Sequence, residues 1–168
     1  MASFRFHALM EEVLAELEWE DELEVNEEEQ TVKLDTAINV AGQDGRLIVE
    51  ASEQTSYVDV LDYYTGFKCK PAKLDQMAVL LNKLHARWRY GTFLVFEDGY
   101  IRWQHRVDFA DGQPTAASIQ RLIQPGWGVL EQFFDPISAV ALTKQTAKEA
   151  LEEFDESQQE EKDVPSEL

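Results

Sequence analysis

A chain of 168 residues, 44% of them hydrophobic and four of them Trp, carries enough apolar surface to bury one core of its own. Its formal charge of -18 is concentrated at the ends: residues 1–30 hold eleven acids against Arg5, residues 149–168 hold nine against Lys162, and residues 31–148 hold thirteen charges of each sign. Nucleic acids and anionic membrane surfaces are bound through clusters of Lys and Arg, so this balance argues against both, and the single Cys69 rules out an internal disulfide and a cysteine-based zinc site.

The first twenty residues lack a cationic leader, and no window approaches the ~20 apolar residues of a membrane span, so the expected location is the cytoplasm. Ser3 is placed to cap a first helix in which Phe6, Leu9, Met10, Val13 and Leu17 recur at helical spacing. Residues 21–30 are too acidic to pack and read as a connection or an irregular strand. From Thr31 the period changes to two, with Val32, Leu34, Thr36, Ile38 and Val40 on one side. Gly42 to Gly45 reads as a turn by composition. The next strand alternates Leu47, Val49 and Ala51 with Arg46, Ile48 and Glu50. A third, over residues 57–64, sets Val58 and Val60 against Tyr57, Asp59, Leu61 and Tyr63. Three sequential strands with short turns predict an antiparallel meander.

Pro71 opens a second helix with Leu74, Met77, Leu81, Leu84 and Trp88 as its buried stripe, and Gly91 ends it. Two aromatic runs then flank Asp98-Gly99, a strong hairpin signal. A two-residue loop there pairs Phe96 with Ile101 and Leu94 with Trp103 on one side, and Val95 with Arg102 and Phe93 with Gln104 on the other. After Pro114 and Thr115 a short helix carries Ile119, Leu122 and Ile123 until residues 125–128, Pro-Gly-Trp-Gly, interrupt it. Asp135 and Pro136 start a last helix, with Ile137, Val140 and Ala141 buried and Leu151 and Phe154 extending it. The plan is α+β in two layers, an antiparallel sheet of about five strands with helices packed on it in the order α-β-β-β-α-β-β-α. One domain spans residues 1–154, and residues 155–168 read as an acidic, disordered tail.

No set of residues demands a particular chemistry. His7, His85 and His105 occur in no metal-binding spacing, so no metal is expected. There is no nucleophile elbow and no phosphate-binding glycine loop, and no cofactor is expected. Lys68 and Lys70 flank Cys69, but at a strand end such lysines are solvated more often than they activate a thiol. Arg102 and Arg106, with Gln104 between them and Phe93 on the paired strand, are the candidate binding residues, forming a cationic groove for an acidic segment. The competing expectation is pairing within the chain, to Asp59, Asp62 or the acidic ends. Tyr57, Tyr63, Tyr64, Trp88, Tyr90, Phe93 and Trp103 are mostly core, and any left exposed on the sheet would mark a protein interface.

Residues 80–85, Leu-Leu-Asn-Lys-Leu-His, followed by Arg89-Tyr90-Gly91-Thr92-Phe93, then Asp98-Gly99-Tyr100-Ile101-Arg102 and a helical tail with Phe133 and Pro136, resemble the bacterial YbjN family. The resemblance spans about residues 75–142 and departs at His85, where the family pattern often has a second Asn. It implies a fold similar to that of type III secretion chaperones and brings no catalytic residues with it. The expected function is therefore non-enzymatic: a chaperone-like or regulatory domain that binds a protein partner or peptide segment and self-associates as a homodimer. The alternative is a regulatory domain that senses a small anion at Arg102 and Arg106, in a pocket between sheet and helices.

Overall fold

The computed structural model describes residues 4–109 and 112–163. In chain order the elements are α1 (Arg5–Glu16), β1 (Glu24–Asn26), β2 (Thr31–Val40), β3 (Gln43–Ser52), β4 (Tyr57–Tyr64), a single 3₁₀ turn (Pro71–Lys73), α2 (Leu74–His85), β5 (Thr92–Val95), β6 (Ile101–Asp108), α3 (Ala116–Gln132), α4 (Phe134–Leu142) and α5 (Ala147–Asp163). The strands make one antiparallel sheet in the order β1-β2-β3-β4-β6-β5. It has six strands, one more than the period-two segments predict, because the acidic stretch read as a connection or an irregular strand supplies the short strand β1. Glu24 lies opposite Lys33, whose ammonium sits 3.3 Å from its carboxylate.

The meander follows the alternation read from the sequence, with Val32, Leu34, Val40, Leu47, Val49, Ala51, Val58 and Val60 all buried. Its first turn is tighter than composition suggests. Val40 pairs with Gln43, leaving Ala41 and Gly42 as a two-residue loop with φ of 51 and 78, and Asp44 and Gly45 belong to the strand. Two consecutive positive φ values match the right-handed twist of a hairpin, which a four-residue turn at 42–45 would not require.

In the β5–β6 hairpin the difference runs the other way. The loop is three residues, Glu97-Asp98-Gly99: Gly99 N–H donates to Phe96 O at 2.9 Å, Phe96 N–H donates to Tyr100 O at 2.9 Å, and Gly99 holds the left-handed position at φ 87. Adding one residue to the loop slips the register by one and turns every side chain of β5 to the other face. Phe93 pairs with Trp103 and Val95 with Ile101 on the core side; Leu94 pairs with Arg102 and Thr92 with Gln104 on the other. The four pairings expected from a two-residue loop are each displaced, and Phe93 moves from the candidate binding face into the core.

Of the described helices, α2 lies against β5 and α3 against β4, β6 and β2, and α1, α4 and α5 pack on these two. Helix α1 buries Phe6, Met10, Val13 and Leu14 against α3, while α3 crosses β4, β6 and β2. The Ser3 cap lies outside the described residues; the N–H of Phe6 is met instead by the Glu53 carboxylate from the β3–β4 turn. Helix α2 stops at His85, six residues before Gly91, so Trp88 packs from the following loop. Helix α3 begins with a Thr115/Ser118 capping box and continues through Pro125 to Gln132, where an interruption was expected. The last helix is two: α4 ends at Leu142, and α5 restarts behind Thr146, whose hydroxyl accepts from Glu149 N–H at 3.3 Å while the Glu149 carboxylate accepts from Thr146 N–H at 2.7 Å. Helix α5 runs on to Asp163, past residue 155 where the tail was expected to begin; residues 164–168 lie outside the described residues.

Candidate binding face

With the helices on one side, the outward half of each strand forms a face that none of the described helices covers. The register arranges its central residues in three rows. Arg46, Tyr63, Arg102 and Leu94 make the first; Ile48, Leu61, Gln104 and Thr92 the second; Glu50, Asp59 and Arg106 the third. Asp35 and Lys33 continue the second and third rows on β2.

Hydrogen bonds knit the rows together. Arg102 donates from Nη1 to the Tyr63 hydroxyl and from Nη2 to Gln104 Oε1, both at 2.9 Å, and Gln104 Nε2 donates to the Asp59 carboxylate at 2.9 Å. Arg106 reaches the same carboxylate from Nε at 3.0 Å and from Nη2, which raises the Arg106 pKa and buries Asp59 beneath it. Tyr57 lies under the Arg106 guanidinium, 4.7 Å from ring centre, and donates to Glu50 at 2.9 Å; burial first and this bond second push its phenol pKa up. Arg46 grips Asp35 with two bonds of 2.6 and 2.7 Å and Lys33 adds a third contact at 2.9 Å, so Asp35 is held below the usual carboxylate range, chiefly by Arg46.

Arg102 differs from the other cations of this face. Among the described residues no carboxylate lies in ion-pair range of it. Its guanidinium stacks over Phe96 at 4.7 Å and beside Tyr63 at 5.6 Å, and its Nε is buried without a hydrogen-bond partner. Beside it opens a cleft of about 250 Å³ lined by Arg46, Ile48, Tyr63, Thr65 and Tyr100, with the Lys68 ammonium 3.6 Å from the Tyr100 ring centre.

Three of the four sequence candidates, Arg102, Gln104 and Arg106, therefore meet on one surface, and the fourth, Phe93, is in the core behind them. Of the two expected internal acids, Asp59 pairs with Arg106, whereas Asp62 points toward helix α3 and has no ion-pair partner among the described residues. Arg102 and Arg106 do not line a space between sheet and helices, where the anion-sensing alternative put them. Tyr57 and Tyr63, two of the aromatics expected to mark an interface if left exposed on the sheet, are half-buried on this face, whereas Ile48 and Leu61 were not singled out, although each is an apolar residue at an outward position of its strand, which is the pattern that could have found them. Cys69 is buried, and that burial pushes its thiol pKa up, away from a reactive thiolate. His85 and His105 are held below the usual imidazole range by burial. Among the described residues no three His, Cys, Asp or Glu side chains converge as a metal site, and no helix is long and apolar enough to cross a membrane.

The sequence model of the YbjN family, described as "Putative bacterial sensory transduction regulator", matches residues 7–139, most of the chain. The chain belongs to the YbjN family. A crystal structure of "YbjN, a putative transcription regulator from E. coli" superposes on it with a TM-score of 0.48 at 10% identity, covering 79% of this chain and 90% of that one. No curated protein matches the chain. The YbjN match takes in the whole sheet and ends within α4, so all of the open face lies inside it and α5 lies beyond it.

Proposed function

We propose that this YbjN-family chain is a non-enzymatic regulatory domain that works by holding a polypeptide on the uncovered face of its sheet. The observation that carries this reading is the asymmetry of the sheet. Five helices crowd one face, while the other presents Ile48, Leu61, Tyr63, Tyr57 and Phe96 at half-exposed positions amid paired charges. A surface of that composition, with aromatic residues and Arg at the centre and ion pairs at the margin, suits protein recognition better than chemistry. The family description as a regulator supports the same class of role. A photoreactive phenylalanine at Leu61 tests it, with the same residue at the exposed Glu152 of α5 as control. On irradiation in lysate, Leu61 should give a discrete adduct that unlabelled protein competes away and that Tyr63→Ala weakens at least tenfold. An adduct of twice the chain mass would identify a second copy as the occupant. Equal, diffuse labelling from both positions would overturn the proposal.

A second reading is favoured by Arg102 alone: a small carboxylate or phosphate held in the adjoining cleft, replacing the missing acidic partner. It requires a thermal shift with such anions that Arg102→Ala abolishes.

A further inference from the structure

On the helix side, at the other end of the sheet from Arg102, a groove of about 540 Å³ runs between the segment after α1, strand β2 and helix α3. Its walls are Trp19, Trp127 and Ile38, and its rim carries Asp21 and Glu131. The two indoles are fixed by the backbone. Helix α1 ends in a Schellman motif, with Glu18 at φ 56 and Trp19 N–H donating to Leu14 O at 2.9 Å, and this locks Trp19 in place. Trp127 stands on the continuous helix α3, two residues past Pro125, and its indole nitrogen is buried, so the groove meets the hydrocarbon part of the ring. The rings touch edge to face, 5.4 Å between centroids at 64°.

Two observations give this groove a chemical preference. Among the described residues neither Asp21 nor Glu131 has an ion-pair partner, and neither indole has a cation over it. Indole faces attract cations more strongly than other rings do, and carboxylates at the rim add a directional partner. The surroundings reinforce both, since residues 1–30 carry ten net negative charges. We propose that the groove binds an arginine side chain presented by a partner polypeptide. A guanidinium is planar, weakly hydrated and forked, so it can lie on an indole while donating to a carboxylate, which an ammonium does less well. The groove is larger than one side chain and has room for the backbone on either side of it. This site is separate from the open sheet face, so either proposal can fail alone.

The test uses the full chain with ¹⁵N-labelled indoles and two short peptides, one with a single arginine between glycines and one with citrulline, its neutral isostere, in that place. The arginine peptide should shift the signals of Trp19 and Trp127, leave those of Trp88 and Trp103, and bind about tenfold more tightly than the citrulline peptide. The surface variant Asp21→Asn with Glu131→Gln should erase that preference without disturbing the fold, and Trp127→Leu should remove saturable binding with the far-ultraviolet circular dichroism unchanged. Equal binding of the two peptides would overturn the guanidinium as the group recognised, and equal shifts at all four indoles would overturn the site and leave bulk attraction to an acidic chain. Arginine amide binding as tightly as the peptide would overturn the polypeptide as occupant.

Discussion

Asp62 occupies a position where a carboxylate has little to gain from being charged. It lies on the core face of β4, opposite Leu47 and Trp103, fully buried, and its carboxyl presses on the backbone of α3 at Gly126, where any side chain would collide with it. Neither oxygen has a hydrogen-bond partner among the described residues. Burial alone pushes its pKa from 3.8 to about 8, so at neutral pH the group is a buried neutral acid. The sign of the consequence follows from proton counting. Between these two values the unfolded chain has released the proton and the folded chain keeps it, so each rise in pH favours unfolding, by roughly 1.4 kcal/mol per unit. Above the folded value both forms are ionised and the dependence vanishes. Asp62→Asn removes this term. Urea unfolding at about pH 5 and about pH 8 should show the wild type losing up to about 4 kcal/mol more than the variant over that interval. Parallel pH profiles would mean that Asp62 is ionised in the fold.

The β5–β6 hairpin shows how one element can be legible in kind and misplaced in detail. Asp98-Gly99 announces a hairpin, but the pair fits equally as the whole of a two-residue loop or as the last two residues of a three-residue one. Local sequence does not separate these; the core does, because only the longer loop sends Phe93 inward beside Trp103 and Phe133. Helix α3 passes through Pro125 for a similar reason: Leu122, Ile123, Val129 and Leu130 are buried on both sides of the proline, and that packing outweighs one lost backbone bond. The start of α5, by contrast, was available in the sequence as Thr146-x-x-Glu149, a capping-box spacing that the continuing acidic run obscured. The hairpin's outer edge carries a further device. The N–H of Phe93, which faces away from β6, donates to Nε2 of His85 at the end of α2, so that nitrogen must be unprotonated. Burial lowers the His85 pKa, so the neutral form contributes stability that is present above the unfolded value of 6.5 and is lost as pH falls through the folded one. Amide exchange measured from about pH 7 down to about pH 5 should show Phe93 losing protection while Leu94, bonded to β6, keeps it. Equal loss at both residues would assign the change to fraying of the whole strand.

For the molecule as a whole, the division of the sheet into an apolar and a polar face was readable from period-two alternation, and so were the charged members of the polar face. What alternation could not show was that the sheet's other face stays free of the remaining helices, since α3, α4 and α5 all pack on the side already taken by α1 and α2. Charge acts at this scale too. With 33 acids against 15 Lys and Arg, full pairing of every cation would still leave eighteen carboxylates unpaired, and the surplus sits at the two ends, in α1, β1 and the segments around β1, and in α5. Net charge of this size works against the compact state through self-repulsion. The opposing term is the set of exposed pairs such as Arg87–Asp155 and Lys148–Glu152, each worth about 0–1 kcal/mol and screened by the same salt. Pairs are few and the surplus is large, so relief of repulsion should prevail: Tm should rise as sodium chloride goes from about 20 mM to about 200 mM, with most of the gain at the low end, where the screening length shrinks fastest. Chloride is the right anion for this, because sulfate would stabilise burial in any protein. A Tm that falls with added chloride would show that ion pairs, and not the acidic surplus, set the electrostatic balance of this fold.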